Sequence, residues 1–120
     1  MLYIISNSQL LGFNENEIQI IANTARYHRK SHPKKRHKEY ENLSEASKEI
    51  VSKLSGILRI ADALDITKKK KIKNVKVNFS NGSVQIIPDL KESLPEIEIW
   101  NFNRRKGLFE EVYKTELSLK

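Results

Sequence analysis

The sequence predicts an α+β chain, with a helical lobe over residues 1–67 followed by a β-β-α-β lobe over residues 68–120 that carries a small, mainly antiparallel sheet. Three observations predict it. Apolar residues recur at helical spacing as far as Leu64. After Thr67 the period drops to two. The dipeptide Asn81-Gly82 then stands between two alternating runs, the strongest short hairpin signal there is.

Taken in order, Leu2 to Leu11 reads as a short amphipathic helix stopped by Gly12. Asn14 opens a second helix, and Glu17 three residues later completes a capping box, in which two side chains satisfy backbone N–H groups that have no partner within the helix. Ile18, Ile21, Ala22 and Ala25 form its expected inner stripe. Pro33 ends it or follows it, because the residue before a proline is pushed out of helical geometry. "SHPKKRHKEYENL" is then a basic loop. Ser44 caps a third helix, whose expected inner face is Leu54, Ile57, Leu58, Ala61 and Leu64. "VKVNF" and "SVQII" pair as a hairpin, with Phe79 facing Val84, Val77 facing Ile86 and Val75 facing Pro88. One helix over "PEIEIWNFNRRKGLFEEVY" and a third strand, "TELSL", complete the second lobe.

At 120 residues and 38% hydrophobic content the chain has the composition of a globular protein, and no apolar run approaches the roughly 20 residues that span a bilayer. The start "MLYIISNSQLLG" lacks the marks of a secretory leader, and cysteine is absent, so the cytoplasm is the expected compartment. The net charge is +7, and its distribution is uneven. Between Arg26 and Lys38 there are seven Lys/Arg, all three histidines and no acid; "TKKKKIKNVK" adds six more lysines. The rest of the chain is net acidic. Two concentrated basic segments point to a polyanionic partner, or else to two solvated loops.

The candidate chemistry is sparse. His28 and His32 have the spacing of zinc ligands on a helix, but Pro33 and the surrounding Lys/Arg argue against a cation there. Arg26, His28, Arg29, Lys30, Lys34, Lys35 and Arg36 suit phosphate oxygens, with arginine offering a planar fork. Asp62 and Asp65 edge into the apolar side of the third helix, and an ionised carboxylate there needs a cation, a metal or several donors. A buried salt bridge, with Arg26 and Lys30 turned inward, is one answer; a helix rolled enough to wet both acids is a second, and a metal or phosphate site is a third. The four glycines, at 12, 56, 82 and 107, are too scattered for a phosphate-cradling loop, and no aromatic-rich stacking platform for nucleic acid stands out.

"LLGFNENEIQIIANTARYHRK", followed by "LSGILRIADALD", then "VQIIPD", "KGLFEEVY" and "LSL", resembles the C-terminal part of the exopolyphosphatase and guanosine pentaphosphate phosphohydrolase (Ppx/GppA) family, over essentially the whole chain. One departure is Thr67-Lys68, where the family commonly carries Ser-His. The resemblance implies catalytic actin-like lobes outside this stretch and a helical domain similar to the HD phosphohydrolases, here entered after the place of its His-Asp doublet. It implies that Asp62 matches the final aspartate of an HD metal set, that a divalent metal such as magnesium serves the full-length family while this chain carries no cofactor, and that hydrolysis is absent here. It further implies a polyphosphate or a phosphorylated guanosine nucleotide as ligand and a homodimer as the assembly. A helical domain entered part-way is expected to leave apolar surface on the "IIANTA" and "GILRIADAL" faces, which drives a dimer or a swapped oligomer. Two other functions remain on the sequence: a residual metal-dependent phosphohydrolase using Asp62 and His28, and a nucleic-acid binder.

Overall fold

The computed structural model describes residues 5, 11–27, 37–65, 72–89 and 94–119. The expected first helix lies outside them except for Ile5, which is helical, and Leu11, which is in a turn. Pro33 and residues 66–71 also lie outside. The chain divides into two compact units, residues 1–55 and 56–120.

In the first unit, α1 (Glu15–Tyr27) starts at the expected capping box. The Glu17 N–H donates to Asn14 Oδ1 at 2.8 Å, and the Asn14 N–H donates to Glu17 Oε1 at 3.0 Å. Its buried residues are Ala22, Asn23, Thr24 and Tyr27, so the inner face is turned from the expected stripe, and Ile18, Ile21 and Ala25 are half-buried. The turn brings in Tyr27, the largest side chain available, and Asn23 offsets part of its own burial by donating to the Gln19 carbonyl at 2.8 Å. A one-turn helix, α2 (Lys38–Glu41), occupies the second half of the stretch expected to be a basic loop. Next comes α3 (Glu45–Leu64), capped as expected by Ser44, whose Oγ accepts from the Ser47 N–H at 3.1 Å. Residues 45–55 of α3 belong to the first unit and 56–64 to the second.

Helix α3 is rolled relative to its apolar periodicity. Leu54, Ile57 and Leu58 are between 42% and 47% exposed and Ala61 is exposed; of the expected face, Leu64 alone joins the core cluster. The buried residues are instead Ser47, Val51, Ser55, Gly56, Arg59, Ile60 and Ala63. Four of them are small, and at Gly56 the size matters directly. A Cβ on Gly56 would lie 3.2 Å from Phe109 Cα, so the missing side chain lets the backbone of a later helix approach closely.

The second unit carries a mixed three-stranded sheet in the order β1 (Val75–Ser80), β2 (Ser83–Pro88), β3 (Glu116–Leu119). β1 and β2 are antiparallel in the expected register, Val75↔Pro88, Val77↔Ile86 and Phe79↔Val84. At the turn only Gly82 has positive φ, +73°, so this is not the doubly left-handed turn that Asn-Gly most favours. β3 runs parallel to β2, and parallel strands need a crossover. That crossover is two helices rather than the expected one, α4 (Glu96–Arg105) and α5 (Gly107–Tyr113), broken at Lys106. Lys114, at φ 53°, ends α5 in the left-handed conformation. Ile60, Phe102 and Leu117 form the core, with Leu64, Val84, Ile86, Phe109 and Leu119 packed on it.

Candidate functional site

Two places hold the residues singled out from the sequence, one in each unit. In the first unit, Tyr27 at the end of α1 and His37 at the start of α2 flank the stretch 28–36. Tyr27 is fully buried, and its hydroxyl lies 2.6 Å from His37 Nδ1. The two rings stack with centroids 5.4 Å apart, and Tyr40 meets Tyr27 edge-on at 5.8 Å. Burial pushes the Tyr27 phenol above its ordinary value, against the opposing pull of the Arg26 charge. Arg26 itself lies over the Tyr27 ring at 5.4 Å and reaches Glu39 Oε2 at 3.5 Å. With both side chains partly exposed, that ion pair is a weak restraint. Of the predicted anion-binding residues, then, Arg26 is placed beside this aromatic cluster. His28, Arg29, Lys30, Lys34, Lys35 and Arg36 lie outside the described residues.

In the second unit, Asp62 on α3 accepts a hydrogen bond from Arg105 Nη1 on α4 at 2.6 Å, with side chains 13% and 6% exposed. Among the described residues Arg105 is a cation that meets Asp62; Lys30 lies outside them. Both partners are held by helices that the core clamps together through Ile60 and Phe102. Arg59, one turn before Ala63 on the buried face of α3, is 7% exposed. Burial lowers its pKa, and the charges of Arg105 and Arg104 lower it further. Arg104 caps the exposed ring of Trp100 at 5.1 Å. Among the described residues no three His, Asp or Glu side chains gather into a group that would hold a metal ion, and a guanidinium stands where a cation beside Asp62 would sit.

Reasoning from sequence missed Arg59 and Arg105. A signal for Arg59 did exist, since it falls at helical spacing from Ser55, Gly56 and Ala63, the small residues that mark the packed face. For Arg105 there was none beyond its position one turn after Asn101 and Phe102 on the buried side of α4.

The family model of the Ppx/GppA phosphatase, domain III, matches residues 1–111. The chain belongs to that family. A search of the curated proteins finds no match. The matched span of this Ppx/GppA domain III takes in both places just described, together with the hairpin and α4. Among its described residues no helix is long and apolar enough to cross a membrane.

Proposed function

We propose that this Ppx/GppA domain III is a non-catalytic C-terminal module that binds polyphosphate, or a phosphorylated guanosine nucleotide, through its basic segment, and that it pairs as a homodimer in the cytoplasm. One observation carries the binding half: seven Lys/Arg and three histidines, with no acid, lie between Arg26 and Lys38. The hydrogen bond between Tyr27 and His37 supports it by holding the two residues that flank this stretch next to each other. A flexible polymer of phosphates is gripped by many modest contacts that release its counterions, so no single deep pocket is required.

A salt series with long-chain polyphosphate tests this reading. If about six cations engage phosphates, affinity falls roughly 10²- to 10³-fold between about 50 and 200 mM salt. Reversing Arg29, Lys30, Lys34 and Lys35 to Glu together abolishes the binding. Absence of binding at low salt, or affinity indifferent to salt, refutes it. Single-stranded RNA that outcompetes polyphosphate of equal charge would reassign the segment to nucleic acid. Phosphate release with magnesium or manganese that disappears in Asp62→Asn would instead make the chain an enzyme.

A further inference from the structure

The two edges of the sheet differ. The Glu116 N–H bonds to the Gly82 carbonyl, so the backbone groups of Leu117 face away from β2. There the edge is closed by side chains: Lys106 Nζ donates to the Leu117 carbonyl at 2.9 Å, and the Leu117 N–H donates to Glu110 Oε2 at 2.9 Å. A four-residue strand sealed by an ion-paired Lys and Glu is a protected edge.

β1 has no such protection. Ser80 pairs with Ser83 across the tight turn, and the Asn74 carbonyl accepts from the Asp89 N–H, so the even-numbered residues of β1 direct their backbone toward β2. The N–H and C=O groups of Val75, Val77 and Phe79 therefore point outward, and among the described residues nothing bonds them. The side chains of the same three residues share one face and are 49%, 43% and 79% exposed. That face continues a largely apolar groove of about 470 Å³, whose lining includes Ile57, Ile60, Leu64, Val75 and Ile86 together with Asp65. Edge strands usually carry charge or proline on such a face. Here the single charge in the strand, Lys76, lies on the other face.

The geometry points to a second copy of this chain as the occupant, with the two β1 strands pairing antiparallel about a twofold axis at Val77. In that register Val77 meets Val77 of the second copy and Val75 meets Phe79, so the outward backbone groups form hydrogen-bonded pairs and every apolar side chain faces an apolar one. Phe79 of the second copy comes to rest beside Val75, at the wall of the groove. Lys76 falls opposite Asn78, so no like charges oppose each other. The sequence of β1 complements itself at this register, as a twofold interface requires. The inference rests on the dimer half of the proposed function and gives it a surface; it is independent of which polyanion binds. Two six-residue strands bury less than the roughly 1,600 Å² of a standard interface, so the dimer forms at high micromolar concentration rather than nanomolar. Because each chain carries +7, added salt strengthens it, the opposite of its effect on polyanion binding.

Since the chain has no cysteine, single thiols report the register directly. Mild air oxidation of the intact Val77→Cys chain should give a covalent dimer, because a hydrogen-bonded antiparallel pair has a Cα separation of about 5.5 Å, within disulfide range. Val75→Cys or Phe79→Cys alone should not, their own copies lying about 14 Å apart, whereas an equal mixture of the two should. Val77→Lys should raise the dissociation constant at least tenfold in sedimentation equilibrium while helicity stays unchanged. A dimer in solution that fails to cross-link at position 77 overturns the β1 surface and leaves the dimer. A monomer at about 1 mM in high salt overturns both. Cross-linking of Val75→Cys alone overturns the register.

Discussion

Asp62 and Arg105 show what a residue gains when a distant element arrives. A carboxylate on the inner side of a helix looks like either an error or a ligand, and the structure pairs it at 2.6 Å with an arginine even more buried than itself. Such a pair is costly to break from one side, because the surviving charge is left in a poorly solvated place. Arg105→Met should therefore destabilise the chain by about 3 kcal/mol in urea unfolding, whereas Asp62→Asn combined with Arg105→Met should cost clearly less than the sum of the two single changes. Tyr27 supports a prediction in pH. Its folded pKa is raised by burial, so the folded state keeps the phenolic proton after the unfolded chain, at about 10, has begun to lose it. The stability this confers is complete below pH 10 and is lost as pH rises through the folded value. Comparing urea midpoints at pH 9 and pH 11 should show a larger loss in the wild type than in Tyr27→Phe. Equal losses would mean that the hydroxyl is not held as described.

At the scale of elements, what is local was legible. The capping box at Asn14 and Glu17, the Ser44 cap and the three facing pairs of the hairpin each depend on residues close in the chain, and each stands as the spacing predicts. The faces of α1 and α3 were not legible in the same way. Periodicity locates an apolar stripe, but which stripe is covered depends on what arrives to cover it. On α3 the partner is the backbone of α5 at Gly56, and small residues outcompete leucines because they permit close approach. Gly56→Leu should accordingly lower stability by about 2 kcal/mol or more, despite leucine's better helix propensity of roughly 1 kcal/mol, because its Cβ alone would lie 3.2 Å from Phe109 Cα and the rest of the side chain needs α5 to shift. A midpoint shift to higher urea would show that α5 yields. Lys106, at the break between α4 and α5, and Glu110 are likewise tied to a distant partner: both bond the backbone of Leu117 in β3, a strand that follows them in the chain.

At the scale of the whole molecule, charge and apolar surface pull in different directions. A net charge of +7 concentrated in two segments repels copies of itself and attracts a polyanion, while an unprotected apolar edge invites a copy. The proposed binding and the proposed β1 pairing thus carry opposite salt dependences, and one titration series separates them. The sequence by itself determined the two main capped helices, the hairpin with its register, the closing strand and membership of the Ppx/GppA family, because these rest on local spacing and on motifs readable in a line. Only the tertiary structure decided that Asp62 pairs with Arg105, that α3 buries Gly56 and Arg59 instead of its leucines, and that one sheet edge is sealed while, among the described residues, the other is left unpaired. Each of these is a contest between surfaces more than 40 positions apart in the chain or across an edge, and its outcome is set by steric fit and solvation where the surfaces meet rather than by the spacing of residues along either one.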